Sequence, residues 1–208
     1  ILDALDGRIA RLIKGTSEFG KELDSLTDFV SFGIAPAFIL YFWELNNYGK
    51  LGWAITLIYS VCCVLRLARF NLTKISVTED WKNNFFEGIP SPAGGILILM
   101  PLIYELTNLN IGLDVKKITP FFTIAVAILL VSKTPTLALK KISISPKISI
   151  FLLLGIGLIF IALLFYTLET LLIFGIFYLI SIPISIILYS NQNKKNLKIS
   201  EESHEDVL

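Results

Sequence analysis

The sequence predicts an all-α, polytopic membrane protein with six spans, and three observations carry that reading. The 208-residue chain is 54% hydrophobic and 17% charged, with a mean hydropathy of +0.72. Soluble domains run at about 45–50% apolar and about 25% charged, so both figures are displaced toward lipid. Long apolar stretches alternate with short charged ones. The cations, finally, gather on alternate connections. A sheet with open edges is excluded, because hydrocarbon offers its unpaired backbone groups no partner.

Spans are expected at 29–45, 51–71, 93–109, 119–139, 148–166 and 171–190, each near the roughly 20 apolar residues that cross a bilayer core. Ahead of them, Ile1-Leu2-Asp3 lacks an initiator Met and reads as the last turn of a truncated upstream span, so the chain is expected to be a fragment. A helix should end near Ile13. Gly15, Thr16 and Ser17 then supply turn and N-cap chemistry, and a second helix starts near Glu18. Pro101 interrupts the third span and Lys133 with Pro135 the fourth, leaving a buried helix or a re-entrant segment as the alternative for each. The stretches from Ile148 to Tyr166 and from Leu171 to Tyr189 are almost uninterrupted. Residues 191–208 are polar and expected to form a disordered cytoplasmic tail.

With six spans the connections alternate between two sides. One side holds Arg8, Arg11, Lys14 and Lys21, then Arg66, Arg69, Lys74 and Lys82, then Lys133, Lys140, Lys141 and Lys147, and last Lys194, Lys195 and Lys198. The other holds only Lys50, Lys116 and Lys117. Positive charge marks the cytoplasmic side, so the first side is assigned there. The net charge of +1 excludes a broadly basic nucleic-acid binder. Cys62 and Cys63 are adjacent within an apolar run and build neither a disulfide framework nor a zinc site. His204 sits in the polar tail. Chemistry must therefore come from carboxylates, arginines or hydroxyls.

Asp3 and Asp6 are three apart, and Asp24 and Asp28 four apart, so each pair shares a helix face. Two antiparallel helices would bring all four carboxylates together at the cytoplasmic boundary. Like charges so close repel one another, and desolvation adds to the cost. Divalent cations are the natural partners of hard carboxylate oxygen. Four acids can hold two such ions, Mg²⁺, Mn²⁺ or Ca²⁺, in the arrangement used for in-line displacement at phosphorus. Beyond the acids, Asp24, Asp28, Ser31 and Ala35 are expected to form one polar or small stripe along a cavity. Phe29, Val30, Ile34 and Phe38 then face lipid or neighbouring helices.

Other polar positions admit two readings each. Gly7 and Gly20 open room for a flat ligand, or serve helix packing. Arg11 forks onto a phosphate, or anchors its helix at the head groups. Arg66 and Arg69, with Asn71 beside them, clamp a carboxylate or phosphate, or the two arginines snorkel to the membrane surface. The Gly88–Gly95 stretch, with Pro90 and Pro92, is an ordered loop over the site or the start of a helix. Lys133 pairs with a carboxylate or lipid phosphate, or marks the membrane surface.

Taken together, Asp3-x-x-Asp6-Gly7-x-x-Ala10-Arg11, eight residues, then Gly20-x-x-x-Asp24-x-x-x-Asp28 resembles the signature of the CDP-alcohol phosphatidyltransferases. Eight fixed positions at about 5–8% each match by chance at about 10⁻⁹ to 10⁻¹⁰ per start, so coincidence is set aside. The segments Ser17–Ala37, Arg66–Asn71, Gly88–Ala93 and Val131–Thr136 are similar to the phosphatidylserine synthase branch of that family. The resemblance implies the family's helical bundle and a catalytic domain over 1–141, followed by two additional transmembrane helices over 142–190. It implies CDP-diacylglycerol and L-serine as substrates, phosphatidylserine and CMP as products, and a homodimer in the membrane. Asp3, Asp6 and Asp24 would bind the two divalent cations, with Asp28 both a further ligand and the base. Gly7, Ala10, Arg11 and Gly20 would contact cytidine and pyrophosphate.

Rival readings are transfer to another alcohol (glycerol 3-phosphate, inositol phosphate or choline), a cation channel or transporter, and a non-catalytic scaffold. A channel needs carboxylates spaced through the bilayer depth, whereas these cluster at one face. A scaffold leaves Gly7, Ala10, Arg11 and Gly20 unexplained.

Overall fold

The computed structural model describes residues 18–73, 85–107, 112, 114–137 and 146–205. In order they form α1 (Glu18–Asp28), a π-helical segment (Phe29–Ile34) and α2 (Ala35–Trp43), which run on as one rod. A 3₁₀ turn (Leu45–Tyr48) leads into α3 (Lys50–Thr73), then β1 (Phe85–Glu87), α4 (Ser91–Leu106) and α5 (Val115–Val131). β2 (Pro135–Leu137), α6 (Pro146–Phe165) and α7 (Thr167–Glu205) complete the chain. The fold is the all-α membrane bundle expected, with one addition. β1 and β2 pair antiparallel over three residues, Phe85 opposite Leu137 and Glu87 opposite Pro135.

Among the described residues three helical stretches are long and apolar enough to cross a bilayer, Glu22–Trp43, Lys50–Leu72 and Thr167–Ser190. Ser91–Leu106 and Phe151–Phe165 are shorter apolar helices. α4 passes through Pro101 without breaking, so the third span is a helix. α5 stops at Val131, well before the expected end of the fourth span at 139. The cause is local: Ser132-Lys-Thr-Pro135 cannot continue a helix toward a proline, and the strand follows at once.

The tail also departs from expectation. α7 continues as helix to Glu205 instead of becoming disordered after Tyr189. No Gly or Pro follows Pro183, and Gln, Lys, Leu and Glu are good helix formers, so nothing local ends it.

α3 packs against α5, α4 against α5 and α7, and the π segment and α2 against both α3 and α4. The core runs through Leu40, Tyr59, Cys63, Leu97, Ile98, Val126 and Leu130. Buried hydroxyls in α3 and α5 cost little, because Thr56, Ser60, Thr119 and Thr123 each donate to the carbonyl one turn back. α4 wedges in through two glycines: a Cβ on Gly94 would lie 2.8 Å from Leu130 Cδ2, and one on Gly95 3.2 Å from Phe32 Cα. α6 contacts α7 and otherwise presents exposed apolar side chains such as Phe151, Leu153 and Phe165, as lipid-facing helices do.

Among the described residues, Lys116 and the arginines of α3 stand at opposite ends of the bundle. Tyr48 Oη donates to Lys116 O at 3.5 Å and Lys116 pairs with Glu105 at 3.3 Å, which sets Lys116 at the Lys50 end. Arg66 and Arg69 lie at the opposite end, where α3 finishes and α4 begins.

Candidate functional site

Asp24 and Asp28 occupy successive turns of α1, Asp24 exposed and Asp28 half-buried. The π segment begins at the next residue. Pro36 explains it: proline has no N–H for Phe32 O, and its ring would strike that carbonyl in a regular helix. The backbone widens instead, with Ala35 N–H donating to Val30 O, five residues back. Phe32 O is satisfied from outside by Tyr59 Oη at 2.9 Å.

The extra residue turns the helix phase. Past Asp28 the buried positions are Gly33, Pro36, Ala37 and Leu40, whereas Ser31 and Ala35 are exposed. The expected stripe of Asp24, Asp28, Ser31 and Ala35 is therefore corrected. A five-residue step through the π turn carries the inward face from Asp28 to Gly33. Phe38, expected to face lipid or a neighbour, stacks edge-on to Trp53 of α3 at 5.7 Å.

α3 runs antiparallel to this rod and delivers the basic residues. Asn71 Nδ2 donates to Ser25 Oγ at 3.0 Å, tying the end of α3 to α1. Arg66 is only 5% exposed, so its charge needs partners on every side. Its Nε donates to Ile89 O at 2.9 Å and its guanidinium lies 5.4 Å over the Phe70 ring. With Asp28, Leu67, Phe70, Pro90, Ser91 and Pro92 it lines a cavity of about 220 Å³. Arg69 turns elsewhere: Nη1 donates to Val131 O at 2.7 Å and Ser132 O at 3.4 Å, capping the negative end of α5. Arg69 and Asn71 thus hold the framework, and Arg66 alone of the three lines the cavity.

The loop between β1 and α4 serves both readings offered for it. Pro90, Ser91 and Pro92 line the cavity, and Ser91 with Pro92 also opens α4. Gly88 fixes the loop. Its φ is +74°, its N–H donates to Thr134 O at 2.8 Å, and its carbonyl accepts from Thr136 Oγ1 at 2.8 Å. Ser132 Oγ and Thr134 Oγ1 share a hydrogen bond of 2.7 Å beneath. Lys133 is exposed. Three distant segments, 66–71, 88–93 and 131–136, are in this way hydrogen-bonded into one clasp. Sequence reasoning missed Phe70, Leu67 and the Ile89 carbonyl; the only signal for them was their place inside those segments.

Asp3, Asp6, Gly7, Ala10 and Arg11 lie outside the described residues. Gly20 is exposed on α1. Among the described residues no group of three His, Cys, Asp or Glu converges as a metal site. Asp24 and Asp28 offer hard carboxylate oxygens one turn apart, the donor type Mg²⁺ and Mn²⁺ take, but only part of a coordination sphere. Among the described residues, Asp24 and Asp28 lie on α1 at the Arg66 end of the bundle, and Glu105 lies at the opposite end with Lys116.

Comparison with known proteins gives a consistent result. The family model for CDP-alcohol phosphatidyltransferase matches residues 1–131. A CDP-diacylglycerol–serine O-phosphatidyltransferase of Helicobacter pylori is 35% identical over 180 residues, covering 86% of this chain and 73% of the relative. The protein of that name from Mycobacterium tuberculosis is 37% identical over 148 residues, 71% of this chain and 51% of the relative. The one from Bacillus subtilis is 38% identical over 112 residues, 53% of this chain and 60% of the relative.

Proposed function

The chain belongs to the CDP-alcohol phosphatidyltransferase family, and from that premise we propose that it transfers the phosphatidyl group of CDP-diacylglycerol to the hydroxyl of L-serine, releasing CMP. The observation that carries this reading is the cavity lined by both Asp28 and Arg66, a carboxylate and a cation, at one end of the bundle.

In this reading Asp28 accepts the proton of the serine hydroxyl, which is a poor nucleophile until a positioned base relieves it of that proton. The hydroxyl oxygen bonds to the phosphorus that carries diacylglycerol, and the bond from that phosphorus to the bridging oxygen of CMP breaks. Asp3, Asp6, Asp24 and Asp28 would hold two divalent cations, Mg²⁺ or Mn²⁺, which supply charge neutralisation on the pyrophosphate when bound. Gly7, Ala10, Arg11 and Gly20 would border the cytidine and pyrophosphate. Arg66 supplies fixed positive charge for an anionic group of either substrate. The donor has tails in lipid and a nucleotide in water, so a site at the membrane boundary suits it. The cation-rich end is assigned to the cytoplasm, and the working unit to a homodimer.

A phosphorylated acceptor would call for more cationic groups. Arg66 is the single cation on the wall of the described cavity, which favours serine over glycerol 3-phosphate or inositol phosphate. The reading is tested by incubating the full chain in vesicles with CDP-diacylglycerol, Mn²⁺ and each alcohol in turn, following CMP. CMP release with serine is expected; release with another alcohol and none with serine refutes the acceptor. Asp28→Asn should lower turnover by about 10²-fold or more with helical content unchanged. Full turnover in that variant removes Asp28 from the role of base.

A further inference from the structure

We propose that Tyr59, on the buried side of α3, is a positioning residue for the transfer reaction. Its hydroxyl locks the π turn and so sets Asp28 against Arg66. This inference rests on the function proposed above.

Tyr59 is fully buried in the apolar core, where a phenylalanine ring would pack as well. Its Oη donates to Phe32 O at 2.9 Å, the carbonyl that Pro36 deprives of a donor. A buried carbonyl needs a partner, and here the partner comes from another helix. The π turn of the first rod is therefore pinned to α3. Single π turns are frequent at functional sites. Here the extra residue sets the phase of Asp28, and the phenol holds that phase.

Pinning matters because of what stands beyond the contact on each helix. Arg66 follows Tyr59 by seven residues, two turns along the same face of α3. Asp28 precedes Phe32 by four residues, at the start of the π turn. The helices run antiparallel, so the step from Tyr59 to Arg66 lies alongside the step from Phe32 to Asp28. Asp28 and Arg66 then line one cavity. Between the two rungs a Cβ on Gly33 would lie 3.2 Å from Cys63 Sγ, so the helices approach closely there. Beyond the cavity Asn71 Nδ2 donates to Ser25 Oγ at 3.0 Å. The base and the cation sit on different helices, and neither fixes its distance from the other alone. Tyr59 from the core and Asn71 from the exposed end clamp the pair on either side.

The test compares the full wild-type chain in vesicles with Tyr59→Phe, which keeps the ring. kcat for CMP release should fall about ten-fold, with KM for L-serine and CDP-diacylglycerol within about two-fold of wild type. Wild-type kcat would overturn the proposal, whatever the midpoint. In an Asp28→Asn background the same change should cost less than about two-fold, because the group that Tyr59 places is gone. An undiminished loss there would overturn the proposal too. Adding Pro36→Ala to Tyr59→Phe offers Phe32 O an N–H of its own helix. The thermal midpoint should then recover while kcat stays low; recovery of kcat would reduce Tyr59 to a partner for one carbonyl and overturn its positioning role. Amide hydrogen exchange over residues 29–35 needs no substrate and should quicken about ten-fold in Tyr59→Phe. Equal exchange rates refute the lock. A wild type that transfers to another alcohol but not to serine refutes the acceptor assignment, and the Tyr59 comparison is then read with that alcohol.

Discussion

Gly88→Ala should damage both stability and turnover, and the size of the effect follows from the surroundings of one atom. At φ +74° an L-residue pays about 1–2 kcal/mol that glycine does not. The added Cβ would also lie 2.7 Å from Ser132 O and 3.1 Å from Leu130 O. Both are backbone atoms at the end of α5, where Arg69 Nη1 holds the neighbouring Val131 O at 2.7 Å, so they cannot retreat cheaply. The loop must shift instead, which strains the bonds from Gly88 N–H to Thr134 O and from Arg66 Nε to Ile89 O. Each such bond contributes about 1 kcal/mol net, for a total of about 2–4 kcal/mol. For a chain of this size that lowers the midpoint by about 5–10 °C. A displaced Ile89 carbonyl also frees Arg66, so kcat/KM for CMP release should fall further than stability alone explains. Gly112→Ala is the control: its φ of +75° carries the same backbone strain, but among the described residues nothing lies within 4 Å of the added Cβ. That variant should lose only the about 1–2 kcal/mol of backbone strain and no activity. Equal behaviour of the two variants, or a Gly88→Ala protein with wild-type midpoint and turnover, would refute the reasoning.

Arg66→Lys keeps the charge but loses Nε and the planar face over Phe70, so substrate KM should rise about ten-fold or more while the fold persists; wild-type KM would show that charge alone suffices. Deleting Ser31 together with Pro36→Ala, which restores the N–H for Phe32 O, should give regular α-helix and turn Asp24 and Asp28 by about 100° relative to Gly33. CMP release should vanish with helical content kept, and an active deletion variant would deny the segment its role. At the far end, the Lys117 ammonium hydrogen-bonds Asp114 at 2.6 Å and holds its carboxyl below the usual carboxylate range. A depressed pKa contributes stability above the unfolded value and loses it as pH falls through the folded one. Because the pair is exposed, the effect on stability should be slight, and the readout is the Asp114 carboxyl titration, which should move up in Lys117→Met.

Much of this architecture was legible in the chain. Apolar length located the helices, and the one-sided cations matched the ends at which Lys116 and Arg66 are found. The segments 66–71, 88–93 and 131–136 stood out, but their convergence is a tertiary fact that no local pattern carries. The phase of the first rod was misjudged beyond Asp28 because a constant helical step was assumed; Pro36 was the warning, since it strips Phe32 O of its donor. Arg66 and Arg69 shared a spacing and not a role. Three residues of helix leave them about 60° apart, enough for one to reach the cavity and the other the end of α5.

The brevity of α4 and α5 has a consequence for the surrounding lipid. At 16 and 17 residues they rise about 24–26 Å, several ångströms less than the hydrocarbon thickness of an average bilayer. Hydrophobic mismatch of that kind is relieved by local thinning of the leaflets. Thinning of that kind would lower the phospholipids that flank these two helices toward the midplane. A liponucleotide arriving there would bring its diphosphate down to the protein without pulling its acyl chains out of the membrane.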